Sequence, residues 1–145
     1  MTSLLRGYGH QVSALDVANQ SLTDSVVPQL FDGKSIPFDD SSFDVALLLT
    51  VLHHCHDPDR LLGEASRVAR QVFVIEDVYR GRLQKALTLA ADSVLNVEFR
   101  GHPHNNRSVD QWLATFERLA LSGTQVASWP VAGIFRQSLF RVARS

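Results

Sequence analysis

Apolar residues along the chain fall into short runs and one-sided stripes, and each spacing predicts an element. Gln11 to Val17 (QVSALDV) mixes Val, Ala and Leu into a short strand that ends at Asp16. Val26 to Phe31 (VVPQLF) predicts a second, at a sheet edge because Pro28 has no N–H for a ladder. Phe43 to Val51 (FDVALLLTV) is almost continuously apolar, the pattern of a strand buried on both faces. Gln71 to Ile75 (QVFVI) is shorter and rich in β-branched residues. Between these last two runs, Asp57 as N-cap, Pro58 at the first helical position and Asp59 in the first turn open a helix. Leu61, Leu62, Ala65, Val68 and Ala69 give it one apolar face. Two apolar strands joined by an amphipathic helix make a βαβ crossover, and hence parallel strands.

Downstream, Gly81 to Val97 predicts a second helix with Leu83, Leu87, Ala90, Ala91 and Val94 on one face. A third begins at Ser108, whose spacing to Gln111 is that of a capping box. It turns Trp112, Phe116, Leu119 and Ala120 inward and is expected to close at Gly123 with a positive φ. Thr124 to Trp129 and Ile134 to Ala143 complete the pattern as two strands, antiparallel across a turn at Pro130 to Gly133. The fold class is α/β, parallel strands first and a hairpin last.

Composition narrows the function classes. A chain of 145 residues without repeats or low-complexity tracts is expected to form one domain around one core. Lys+Arg 14 against Asp+Glu 15 gives a net charge of -1, so the basic field that nucleic-acid binding needs is absent. The single cysteine, Cys55, excludes an intrachain disulfide. No apolar run reaches the roughly 18 to 20 residues of a bilayer span. Met1 to His10 is too short and polar for a signal peptide, so a soluble, cytoplasmic protein is expected.

In open parallel sheets ligands bind beyond the carboxyl ends of the strands. Asp16 ends the first strand, where an acid can accept from both hydroxyls of a ribose or simply cap the following turn. Asp32 and Gly33 end the second. A carboxylate there can accept from an exocyclic amine such as that of adenine, and glycine lets a base approach the backbone; a plain Asp-Gly turn explains the same residues. Thr50 ends the third strand and leads into HHCHDP, His53 to Pro58, while Glu76 and Asp77 end the fourth.

In this order, these pieces resemble the class I S-adenosylmethionine-dependent methyltransferases, of the type 11 kind. The run DGKSIPFDDSSFDVALLLTVLHHCHDPDRLLGEASRVAR, Asp32 to Arg70, is similar to their middle. There the family reads as an acid, L-P-F, a short acidic turn, F-D, an apolar strand, a histidine-bearing loop and a helix. GHQVSALDV, Gly9 to Val17, resembles their second strand, and RQVFVIED, Arg70 to Asp77, the strand after the helix. The resemblance implies a Rossmann-like three-layer sandwich, mostly parallel with a C-terminal antiparallel hairpin, and S-adenosylmethionine as cofactor. It implies Asp16 at the ribose, Asp32 and Gly33 at the adenine, Leu49 and Thr50 beside the methionine part, and Val17 among the cofactor-binding residues. Methyl transfer in such enzymes is an in-line displacement at the sulfonium carbon, in which alignment supplies much of the rate. The implied acceptor is a small or lipid-like molecule.

One part of the family pattern is not found. Its first strand ends in a G-x-G-x-G turn, and MTSLLRGYG, Met1 to Gly9, holds neither strand nor turn. Leu4 and Leu5 read as the last turn of the helix before the second strand, and Gly7 and Gly9 as the turn into it. The family's strand order is third, second, first, fourth, fifth, seventh, sixth, so the missing strand is a central one. Its absence leaves an unpartnered edge on the strands at Gln11–Val17 and Phe43–Val51. The expectation is that the edges close on each other, that another chain fills the gap as in a homodimer, or that this is the C-terminal portion of a longer protein.

Histidines cluster at His53, His54 and His56, then at His102 and His104 in GHPHNNR. Three readings stand side by side. His54 orients or deprotonates the acceptor, with His53, His102, His104 and Arg107 contacting it. The imidazoles and Cys55 bind a metal, although H-x-H and H-H-C-H match no common structural zinc spacing. Or they are ordinary loop residues bonded to backbone. For the whole chain, the alternatives to a methyltransferase are a non-catalytic remnant that self-associates or binds a partner, and a histidine metal-binding module.

Overall fold

The computed structural model describes residues 1–19, 21, 25–79, 105–131 and 135–145. The helix expected over 81–97 and the histidines at 102 and 104 lie outside them. The chain divides into two compact units, Met1–Pro37 and Phe38–Ser145. Among the described residues no helix is long and apolar enough to cross a membrane.

The first unit opens with helix α1 (Thr2–Gly7), the helical turn read from Leu4 and Leu5. Gly9 then turns the chain at φ 87. Strands β1 (Leu15–Asp16) and β2 (Gln29–Leu30) follow and pair in parallel. Both are shorter than the apolar runs around them. Among the described residues each has a single partner in a two-stranded sheet, and Pro28 blocks the ladder upstream of Gln29.

The second unit is a four-stranded sheet in the order β3-β4-β6-β5. Its members are β3 (Phe43–Leu49), β4 (Ala69–Val78), β5 (Leu121–Val131) and β6 (Phe135–Arg144). This is the fourth, fifth, seventh and sixth of the expected order, with β3 and β4 parallel and the rest antiparallel. Strand β4 outruns its QVFVI core at both ends because it lies between two partners, β3 as far as Ile75 and β6 as far as Val78.

Helices α2 (Pro58–Val68) and α3 (Val109–Arg118) carry the caps that the sequence predicts. The Asp57 carboxylate accepts from the Arg60 N–H at 2.9 Å. Ser108 and Gln111 form the reciprocal capping box, at 3.2 and 2.9 Å. Both helices cover one face of the sheet. Leu61, Leu62 and Ala65 of α2 and Trp112 and Phe116 of α3 are buried, as are Val72, Val74, Val78, Phe140 and Val142 of the sheet.

Two expectations are corrected. Strand β3 is not buried on both faces: Val45 and Leu47 are 44% and 41% exposed, while Leu48 on the opposite face is buried. An apolar run reports the side chains' chemistry, not what covers them, and among the described residues β3 is an edge strand paired only with β4. Nor does Gly123 close α3. The positive φ falls on Ala120, at 54°, and Gly123 lies within β5. Glycine is needed there for space, since a Cβ would overlap the Phe116 ring, 2.7 Å from its Cγ.

Candidate functional site

In the first unit, parallel pairing sets the carboxyl ends of β1 and β2 side by side. The Phe31 N–H donates to the Asp16 carbonyl at 3.1 Å. Asp16 Oδ1 accepts from the N–H groups of Val17 and Ala18, at 2.7 and 3.3 Å, so the acid caps its own turn. Asp32 does the same one strand over, accepting from Lys34 and Ser35 N–H at 2.8 and 2.9 Å. Gly33 sits at φ 72, and a Cβ there would lie 3.1 Å from Val17 Cγ1. Asp16, Val17, Asp32 and Gly33 thus converge. Val17 is 63% exposed, an apolar side chain beside a glycine backbone and two acids.

In the second unit, the chain leaves β3 through Thr50, held at φ 54 with its N–H donating to the Ile75 carbonyl at 2.7 Å. It then makes a short 3-10 turn, Leu52–His54, which places the first two clustered histidines differently. His53 is buried, its Nδ1 2.5 Å from Glu76 Oε2; His54 is half-buried, its ring 4.0 Å from that of His53. The Cys55 thiol is pushed up from its ordinary pKa by burial and by the Glu76 charge, so it stays protonated at neutral pH. Among the described residues no three ligand-type side chains converge as a metal site.

The segment Asn105–Arg107 comes back to this loop. The Asn105 N–H donates to the His53 carbonyl at 3.2 Å, and its side-chain amide to the Cys55 carbonyl at 2.6 Å. Arg107 bridges to Val78 at the end of β4. Its guanidinium lies over the Trp112 ring at 4.8 Å and donates to Asp59 and Thr115 at 2.8 and 2.9 Å. Arg118 reaches the same carboxylate at 2.5 Å. Beside them runs a groove of about 510 Å³ lined by Tyr79, Asn106, Arg107, Gln111, Thr115 and Arg118, with no carboxylate on its wall among the described residues.

Partial burial would raise the Asp59 pKa, but hydrogen bonds and charge from Arg107 and Arg118 outweigh it and hold the group below its ordinary value. A lowered folded value means stability fully present above the unfolded pKa and lost as pH falls through the folded one. Acid unfolding is therefore expected to cost the wild type more than Asp59→Asn below about pH 4, by under about 1 kcal/mol because Arg118 is largely solvated. Equal losses would exclude the contribution.

Sequence reasoning places Asp16, Asp32, Leu49 and Thr50 at strand ends; Asp16 and Leu49 close β1 and β3, Thr50 follows β3, and Asp32 lies two residues past β2. It marks Glu76 only as a strand terminus and misses its role under the histidine loop. The available signal is an acid inside an otherwise apolar strand, in QVFVIED.

Parallel strands with acids at or just past their carboxyl ends in each unit, and an antiparallel hairpin in the second, are the elements of a Rossmann-like α/β fold. Residues 1–72 match the family model described as a methyltransferase domain. Over that segment, about half of the chain, the sequence is similar to the class I methyltransferases, a family that implies S-adenosylmethionine as cofactor. Solved structures agree on the fold. A SAM-dependent methyltransferase from Methanosarcina mazei aligns at TM-score 0.68 and 13% identity, covering 99% of this chain and 87% of that one. The YcgJ protein of Bacillus subtilis aligns at 0.67 and 13%, covering 98% and 75%. The mitomycin 7-O-methyltransferase MmcR is 26% identical at TM-score 0.56, and this chain spans 38% of its length. No curated protein matches the sequence.

Proposed function

We propose that this chain transfers a methyl group from S-adenosylmethionine to a small-molecule acceptor. The observation that carries the reading is the convergence of Asp16, Val17, Asp32 and Gly33 at adjoining strand ends. These residues fit a nucleoside. Asp16 spends Oδ1 on its own turn, and Oδ2 has no partner among the described residues, which suits a ribose hydroxyl. The exposed Val17 and the open backbone at Gly33 suit the flat, apolar face and the edge of adenine. Leu49 and Thr50, at the turn out of β3, serve the methionine part in this reading.

The cofactor supplies an electrophilic methyl on a sulfonium; the chain's own residues bind, orient and take up the proton. His54 receives the proton of an acceptor hydroxyl or amine on an imidazole nitrogen. His53 supports that loop from behind, through Glu76. Arg107 and Arg118 give the neighbouring groove a net positive wall for an anionic part of the acceptor. His102 and His104 belong to the same proposal by sequence alone.

Calorimetric titration with S-adenosylmethionine and S-adenosylhomocysteine tests the reading, with Asp16→Ala as control. The expected result is affinity in the micromolar range, weakened at least about tenfold by the substitution, or roughly 1.4 kcal/mol. No heat at millimolar ligand would overturn it. A second reading, self-association through a sheet edge, is favoured by β3, which among the described residues is paired only with β4. Sedimentation equilibrium that returns only monomer would remove it.

A further inference from the structure

Glu76 is the least expected residue in the core. It shares a strand face with Val72, Val74 and Val78 and is fully buried. An ionised carboxyl survives in such a place only when its oxygens are answered by donors. Both are answered from the loop that follows β3. The Leu52 N–H donates to Oε1 at 2.8 Å, and His53 Nδ1 lies 2.5 Å from Oε2. The far side of the same loop is held by Asn105, on the His53 and Cys55 carbonyls. The His54 ring is laid on the His53 ring at a tilt of 44°.

A carboxylate can only accept, so a Glu76 that serves both groups requires the proton of that second contact to reside on His53 Nδ1. We infer that Glu76 is a positioning residue for the histidine loop: it holds a proton on His53 Nδ1 and, through the tilted contact between the two rings, sets the place of His54. As a role in acceptor handling this rests on the methyltransferase reading above; as a statement about the loop it does not.

The shape-conserving variant Glu76→Gln separates this role from simple packing. Its side-chain carbonyl can serve one donor, while its NH2 group opposes the other. If the carbonyl stays on Leu52, the amide faces Nδ1 and the His53 proton moves to Nε2. If it turns to His53, the Leu52 N–H loses its acceptor. The test is a long-range ¹⁵N–¹H spectrum of the imidazoles, recorded without cofactor, with His53→Gln to assign the signals and amide exchange at Leu52 alongside.

In the wild type the Nδ1 of His53 is expected to carry a proton. In Glu76→Gln, either the proton switches to Nε2 or Leu52 exchange accelerates at least tenfold, and the His54 signals shift with either change. A wild-type His53 protonated on Nε2 alone would overturn the inference, because Glu76 would then be the donor. So would a variant with the same tautomer, the same Leu52 protection and unmoved His54 signals. Should Glu76→Gln fail to fold, the wild-type tautomer decides. Because no cofactor is present, failure of the calorimetric titration leaves this result standing, and an unmoved tautomer leaves the cofactor reading standing.

Discussion

Replacing Trp112 by alanine is expected to cost about 3–5 kcal/mol, a large share of the stability of an ordinary domain. Its ring is fully buried, lies near-parallel to Phe116 at 6.0 Å, and carries the Arg107 guanidinium on its face. Phe116 in turn meets Phe140 of β6 edge-on at 5.5 Å, so three aromatic rings link α3 to the sheet. Truncation removes the ring and leaves a cavity that a helix capped at Ser108 cannot collapse without losing its other contacts. Trp112→Phe should lose much less. It keeps most of the apolar area and removes the indole N–H, which is buried without a partner among the described residues. Urea unfolding of both variants checks the pair. A loss below about 1 kcal/mol in Trp112→Ala would mean that this ring is not what holds α3 down.

That helix matters to the site because the segment beside the histidine loop, Asn105–Arg107, leads directly into it. Arg107 is held between the Asp59 carboxylate at the start of α2 and the indole of α3. Loosening α3 is therefore expected to slacken the bonds from Asn105 to His53 and Cys55. Packing and the candidate chemistry are joined here by one short piece of backbone.

What can be read from the sequence follows the range of the interactions. Asp57 with Arg60, and Ser108 with Gln111, act across a single helical turn, so both helix starts are legible. The acids of β1 and β2 are legible as turn-capping residues at strand ends for the same reason. The lengths of β1 and β4 are not, because a ladder extends only as far as its neighbours do. The apolar run of β3 cannot reveal an edge, since the pattern is the same whether or not a second layer covers it. Within the site, Glu76 and His53 are 23 positions apart and Arg107 and Asp59 are 48 apart. No local periodicity links such pairs. The one hint within reach is a carboxyl set in a β-branched strand, and it points to Glu76 without naming its partner.

The close approach at Gly123 predicts the other large loss. Gly123→Ala is expected to destabilise the second unit by about 3 kcal/mol, the upper end of what overpacking costs. The added methyl would overlap Phe116 Cδ2 and lie 2.7 Å from Cγ and 3.0 Å from Cβ. A ring alone could swing away, but Cβ is fixed to the backbone of α3, so the helix itself must lift from β5. A double-mutant cycle isolates that cause. In a Phe116→Ala background the ring atoms are gone and only the 3.0 Å approach to Cβ remains, so Gly123→Ala should cost about 1 kcal/mol or less. The coupling between the two positions is then about 2 kcal/mol or more, far above the scatter of independent sites. Urea unfolding in a stabilising osmolyte keeps both single variants folded for the comparison. A coupling near zero would mean that α3 can back away from β5 at no cost, and that Gly123 owes its place to something other than Phe116.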